Sequence, residues 1–120
     1  MSSADRVGTA EHSLSDVRSL ASKFADEVRA RFDRRVKRLR MFGSAARGDW
    51  TEASDLDVLV LLSADDTSAA DEISRLAFHM GVVERGILIR PLILTEVQFR
   101  HLLERERRLA LDIERDGLEL

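Results

Sequence analysis

The stretch that decides the fold runs from Gly43 to Leu62 and reads GSAARGDWTEASDLDVLVLL. It ends in the apolar run VLVLL, which is typical of a strand buried on both faces. Asp55 and Asp57 stand at the head of that run, where the burial of charge is costly. Because alternate side chains of a strand share one face, we expect both carboxylates to point the same way, roughly 7 Å apart along the backbone. Two carboxylates so placed repel each other, and Mg²⁺ is a cation that prefers such oxygens.

The front of the same stretch has the features of a phosphate cradle. Gly43 permits close backbone approach and unusual dihedral angles. Ser44 is predicted to start a short helical turn that Gly48 closes, and the free N–H groups of such a turn attract anions. Arg47 lies one turn further on, within reach of a phosphate. A glycine-serine pair or a D-x-D motif alone is weak, but the two on adjacent strands predict a phosphate cradle that faces a metal pair.

Hydrophobic periodicity predicts further elements on both sides of this stretch. The first predicted helix covers residues 14–33, with Ser13-x-x-Asp16 as its capping box. The second runs from Ser68-x-x-Asp71 to near Gly81, and the last from Thr95-x-x-Gln98 to Gly117. The predicted strands are residues 36–42, 55–62 and 87–94. Pro91 cannot donate to a ladder, so the last strand is predicted to be an edge strand or to bulge. The order predicts a small α/β or α+β domain in which a mixed β-sheet has its helices on one side.

Composition bounds the class of protein. The 120 residues carry a net charge of −3 and no cysteine, which excludes disulfides and argues against a wholesale nucleic-acid binder. No segment is apolar for long enough to span a membrane, and a cytoplasmic location is expected. Residues 1–12 are predicted to be a flexible tail and residues 13–120 one domain. The basic segment 29–40 is either a solvated surface or a positive field near the site.

GSAARG followed by SDLDVLV resembles the nucleotidyltransferase signature, in which glycine-serine and D-x-D are separated by ten residues. The chain is similar to the minimal nucleotidyltransferases of the DNA polymerase β-like superfamily over nearly its whole length, including LTEVQF and the closing DIERDGLEL. The resemblance implies a mixed sheet flanked by helices. It also implies the transfer of a nucleoside monophosphate to a hydroxyl, with two Mg²⁺ ions as cofactors. It assigns Gly43 and Ser44 to the triphosphate, Arg47 to substrate contact, and Asp55 and Asp57 to the metals as the catalytic pair.

One part of the family pattern is missing. The family places a third carboxylate on a later strand, and Arg90 stands at the corresponding position here. An inward-pointing Arg90 would repel Mg²⁺, and a bulge at Pro91 is one way to turn it outward. The acids that could replace the missing third carboxylate are Glu84, Asp49 and Glu52. The spacing of the sequence favours none of them.

The resemblance also implies partners. Minimal nucleotidyltransferases commonly pair with a HEPN-type toxin, and the expected activity is transfer of AMP from ATP to a hydroxyl of that partner, as its antitoxin. Two alternatives stay open: a degenerate antitoxin that acts by binding alone, and a small-molecule transferase of the aminoglycoside type. Self-association also stays open. Among other residues, Trp50 is a candidate for stacking on a base or packing as a lid, and the histidines are interpreted as surface residues.

Overall fold

The computed structural model describes residues 12–120, so the predicted tail lies outside the described residues except for His12. The helices are α1 (Leu14–Phe32), α2 (Ser44–Arg47), α3 (Thr67–Phe78), α4 (Glu96–Arg105) and α5 (Arg107–Glu114), and the strands are β1 (Val36–Phe42), β2 (Leu56–Leu62), β3 (Ile89–Thr95) and β4 (Leu118–Glu119). A 3₁₀ turn follows α1 and a π-helical turn follows α3. Within the described part of the chain, no helix is long and apolar enough to cross a membrane.

The four strands form one mixed sheet in the order β3-β2-β1-β4. β1 runs antiparallel to both of its neighbours, and β2 and β3 are parallel. The β2–β3 register continues unbroken from Leu56 opposite Ile89 to Leu62 opposite Thr95. β3 is therefore an edge strand, as Pro91 predicted, but the predicted alternative of a bulge there is wrong.

Helices cover both faces of the sheet, so the prediction that they lie on one side is wrong. Val58 and Val60 of β2 face a core shared with α1 and α3. Leu59 and Leu61 face a second core that includes Phe99 of α4 and Ile113 of α5. The physical reason lies in the run VLVLL itself, because a strand without polar alternation needs an apolar partner on each face.

Local capping explains where the helices begin. Ser13 and Asp16 form the predicted capping box, with the Ser13 Oγ accepting from the Asp16 amide at 3.0 Å and the Asp16 carboxylate accepting from the Ser13 amide at 2.9 Å. α3 begins one residue earlier than the predicted Ser68, because the Asp66 carboxylate caps it by accepting from the Ala69 amide at 3.0 Å. An aspartate is a strong N-cap.

The predicted last helix is two helices that meet at Glu106, whose φ and ψ of −115° and 74° are not helical. α4 packs on β2 and β3, and α5 packs on β1. The break lets two short amphipathic helices follow the width of the sheet. β4 was not predicted, since a two-residue strand opposite Arg40 and Met41 is too short for a periodic signal.

Candidate active site

The glycine-serine turn connects β1 to α2 in an unusual conformation. Gly43 has φ 72° and ψ −152°, a backbone region that residues with a side chain rarely adopt. The Gly43 carbonyl accepts from the amides of Ala46 and Arg47, at 3.1 and 3.0 Å. The amides of Ser44 and Ala45 precede these first hydrogen bonds, which is the arrangement that leaves helix N–H groups open to an anion. The predicted helical turn is therefore present.

Arg18 of α1 holds this turn from behind. Its Nε donates to the Ala45 carbonyl at 3.0 Å, and its Nη2 donates to the Ala46 carbonyl at 3.1 Å. Both alanines are buried in the core that the sheet shares with α1 and α3, called the main core below. Sequence reasoning missed Arg18, and no local signal could have found it, because its partners lie 27 and 28 residues further along the chain.

The two halves of the motif meet at Gly43 and Asp57. Asp57 lies at the start of β2, opposite Phe42, the last residue of β1. A Cβ atom added to Gly43 would lie 2.5 Å from the Asp57 Oδ2, so a side chain at position 43 would force this carboxylate to shift. The Asp57 side chain is 15% exposed and the Asp55 side chain is 31% exposed, so both carboxylates are partly withdrawn from water. The Gly43 turn and Asp57 thus lie side by side, as predicted, while the binding of phosphate there stays a prediction.

Arg90 binds both aspartates. Its Nη1 lies 3.1 Å from the Asp55 Oδ2, and its Nε donates to the Asp57 Oδ1 at 3.0 Å. The parallel register places Arg90 directly opposite Asp57, and this register brings the guanidinium onto the acids. The alternative in which Pro91 turns Arg90 outward is therefore wrong, since the strand stays regular through Pro91.

The other acids considered as substitutes have different partners. Glu84 lies 3.3 Å from His79 Nε2, and Asp49 lies 3.6 Å from Arg47 Nε. Glu52 accepts from the backbone amide of His12. Among residues 12–120, no group of three or more histidine, cysteine or acidic side chains is placed to hold a metal ion.

Burial and charge act in opposite directions on Asp57. Burial raises the pKa of this carboxyl, while the charge and hydrogen bond of Arg90 oppose the rise, and the net pKa lies above its ordinary value. The acid lines a cavity of about 220 Å³. The cavity is lined by Phe42, Asp57, Arg90, Pro91, Leu92 and Leu109. Four of the six lining residues are apolar, and the other two, Asp57 and Arg90, bind each other.

Arg47 and Trp50 sit near the motif in different ways. Arg47 is on the cradle turn and contacts Asp49 rather than the aspartate pair. Trp50 packs partly buried against the main core, and its Nε1 is buried without a hydrogen-bond partner in the described structure. Trp50 therefore packs against the protein, which disfavours the base contact. His79 is exposed.

The basic segment 29–40 serves the fold. Five of its six arginines bind acids or carbonyls: Arg29 the Leu120 carbonyl, Arg31 Glu27 and Glu72, Arg35 Asp66, Arg38 Glu114 and Glu119, and Arg40 Glu119 and the carbonyls of Ile113 and Glu114. Because most charges of the segment are already paired, the interpretation as a structural surface is favoured over a positive field directed at the site.

Residues 21–113 match the model of the nucleotidyltransferase domain family. The chain belongs to this family. The nucleotidyltransferase domain is also 35% identical, over 66 residues, to a Methanocaldococcus jannaschii protein provisionally named a protein adenylyltransferase. That match covers 55% of this chain and 66% of the relative, just under two thirds of its length.

Solved structures share the fold. A provisionally named nucleotidyltransferase of Sulfolobus solfataricus superposes with a TM-score of 0.52 at 21% identity, covering 88% of this chain and 80% of that chain. A chain of a mutant MntA–HpeT toxin–antitoxin complex gives 0.55 at 14% identity, with coverages of 82% and 70%. A chain of the tri-AMPylated Shewanella oneidensis HEPN toxin in complex with MNT antitoxin gives 0.50 at 14%, with coverages of 86% and 70%. The predicted fold class, a mixed sheet flanked by helices, is confirmed.

Proposed function

We propose that this nucleotidyltransferase domain transfers AMP from ATP to a hydroxyl of a partner protein, and that it acts as the antitoxin of a HEPN-type toxin. The observation that supports the proposal is the approach of Gly43 to Asp57, which brings the turn proposed as phosphate cradle next to the acid pair. The M. jannaschii relative supports a protein acceptor, and the two toxin–antitoxin complexes that share the fold support a HEPN-type partner.

Each motif residue has a proposed role. The turn at Gly43 and Ser44 holds the triphosphate through backbone amides, and Arg47, on the same turn, contacts a phosphate. Asp55 and Asp57 are the residues that would hold Mg²⁺, because partly buried carboxylate oxygens at the start of β2 are donors of the type this ion prefers. When bound, Mg²⁺ would neutralise phosphate charge and activate the acceptor hydroxyl. A cytoplasmic location is part of this proposal, because ATP is available there.

A second candidate function is that of an antitoxin that acts by binding alone. It is favoured by one observation, the position of Arg90 on both carboxylates. The small-molecule transferase is supported less well, because the cavity of about 220 Å³ beside Asp57 is smaller than usual ligand pockets of about 300–1,000 Å³.

A transfer assay tests the proposal. The purified protein is mixed with Mg²⁺, α-labelled ATP and a HEPN-type protein from the same genome. We expect label on the partner, and we expect it to be lost in the double variant Asp55→Ala/Asp57→Ala. The control Asp26→Ala/Asp71→Ala removes the same charge from exposed sites on α1 and α3 and is expected to keep the activity.

Three outcomes separate the candidates. Label that depends on Asp55 and Asp57 supports the transferase. Absence of label, with an equally tight complex for wild type and the double variant, contradicts the transferase and supports the binding antitoxin. Absence of both label and complex contradicts the HEPN-type partner for either candidate.

A further inference from the structure

Arg90 covers the acid pair from the solvent side. Its side chain is 65% exposed, whereas Asp55 and Asp57 below it are 31% and 15% exposed. The guanidinium uses two nitrogens on two different residues, one oxygen of each carboxylate. This bridging geometry places one positive charge where the two acids converge.

A cation at that point changes what the acid pair can bind. Without Arg90, the two carboxylates would repel each other in a partly desolvated place, and a divalent cation would relieve that repulsion. With Arg90 in place, part of that charge is already balanced and one oxygen of each acid is already engaged. A metal ion that uses these two oxygens must therefore displace the guanidinium.

We propose that Arg90 is a tethered counter-cation that competes with a divalent metal for Asp55 and Asp57, so that metal binding requires the arginine to swing away. The proposal rests on the metal site of the proposed function. The exposure of Arg90 makes the movement feasible, because a guanidinium at the surface can exchange its two acid contacts for water. The site is thus closed to metal by an internal charge and opens when Arg90 moves.

Metal binding without nucleotide or partner tests the proposal directly. Mn²⁺ binding is measured by electron paramagnetic resonance and calorimetry on wild type, Arg90→Ala, Arg90→Lys and the control Arg31→Ala. Arg31 also bridges two acids, Glu27 and Glu72, but on another surface. We expect Arg90→Ala to bind Mn²⁺ about tenfold more tightly than wild type, Arg90→Lys to fall between them, and Arg31→Ala to equal wild type.

The melting temperature gives a second readout, because a ligand that binds the folded state raises it. Mn²⁺ is expected to raise the melting temperature of Arg90→Ala more than that of wild type, and to have no such effect once Asp55→Ala/Asp57→Ala is added. Equal binding by wild type and Arg90→Ala, lost with the aspartates, would overturn the competition and leave the metal site of the proposed function intact. No Mn²⁺ binding by any variant would overturn both. The Arg90→Lys variant keeps the test valid if Arg90→Ala fails to fold.

Discussion

Gly43 sets the geometry of the site because it has no side chain. Its positive φ of 72° disfavours any side chain, and its Cα faces the Asp57 Oδ2. We expect Gly43→Ala to lower the free energy of unfolding by about 2–4 kcal/mol, because backbone strain adds to the clash with the carboxylate. Chemical denaturation followed by circular dichroism measures the change.

Gly86→Ala is the matched control for this prediction. Gly86 has a similar φ of 68°, but a Cβ there would meet nothing within 4 Å. Its substitution should therefore report backbone strain alone, about 1–2 kcal/mol. Equal losses in the two variants would contradict the close approach of Gly43 and Asp57.

Arg18 is expected to matter for the cradle although it contacts neither acid. Arg18→Ala leaves the carbonyls of Ala45 and Ala46 without their donors, which should cost about 1–3 kcal/mol. Hydrogen exchange of the amides in residues 44–48 should become faster, and exchange in β2 should change little. Arg75→Ala, an exposed arginine on α3, is the control. Unchanged exchange in the turn would show that Arg18 does not hold it.

At the residue scale, the placement of Gly43-Ser44 and of the two aspartates on adjacent predicted strands indicated that they lie close together, and the structure brings Gly43 and Asp57 together. Their roles in binding stay predictions. The family resemblance aligned Arg90 with the missing acid. It could not decide which way Arg90 points, because that depends on the register of two parallel strands that are far apart in sequence.

At the scale of elements, Arg40 ties the end of the chain to β1. Its side chain is only 12% exposed, and it donates to the carbonyls of Ile113 at 2.6 Å and Glu114 at 3.2 Å. We expect Arg40→Ala to lower the free energy of unfolding by about 2–3 kcal/mol, because these carbonyls lose charged donors. Arg38→Ala is the comparison, since Arg38 contacts only the side chains of Glu114 and Glu119 and should cost about 1 kcal/mol or less. Equal effects would contradict the anchoring role.

β4 carries a pH-dependent contact at Glu119. Burial acts to raise the pKa of this carboxyl, but hydrogen bonds from Arg38 and Arg40 outweigh it, and the pKa lies below its ordinary value of 4.5. Because the pKa is lower in the folded protein, ionised Glu119 contributes its full stabilisation at pH values above the ordinary pKa. This stabilisation is lost as the pH falls through the lowered pKa of the folded state.

The comparison of wild type with Glu119→Gln measures this contribution. The difference in unfolding free energy should be constant from about pH 7 to pH 5 and should shrink below about pH 4.5. Its size should be about 1 kcal/mol or less, because Glu119 is half exposed. A difference that grows on acidification would contradict the assigned direction of the pKa.

Element boundaries were predictable where a side chain caps a helix. Ser13 and Thr95 begin α1 and α4 as their capping boxes indicated. The break at Glu106 and the short strand β4 were not predictable, because both depend on packing against a sheet that distant residues form. The second helical layer is a different case, because the run VLVLL indicates a strand buried on both faces and so already favours helices on each side of the sheet.

At the scale of the whole molecule, two cores share one sheet. Ile73 of α3 and Ile113 of α5 are both fully buried, on opposite faces. We expect Ile73→Ala and Ile113→Ala each to cost about 2–5 kcal/mol of unfolding free energy. Because β2 contributes side chains to both cores, each variant should still unfold in one cooperative transition.

Two probes check this cooperativity. The fluorescence of Trp50, the one tryptophan of the sequence, reports on the core of α1 and α3, and circular dichroism reports on all helices. The two curves should coincide in both variants. Separate transitions in Ile113→Ala would show that α4 and α5 form an independently unfolding layer.

The position of Pro91 has a consequence for how another protein can approach this one. The Leu88 carbonyl accepts from Leu56 of β2, so alternation directs the main-chain groups of Ile89, Pro91 and Ile93 away from β2, toward the free edge. At the centre of that edge the proline supplies no donor, and an added strand would lose a hydrogen bond there. Strand addition is therefore disfavoured at the β3 border of the described sheet, and a protein that docks there gains more from side-chain contacts than from a continued hydrogen-bond ladder.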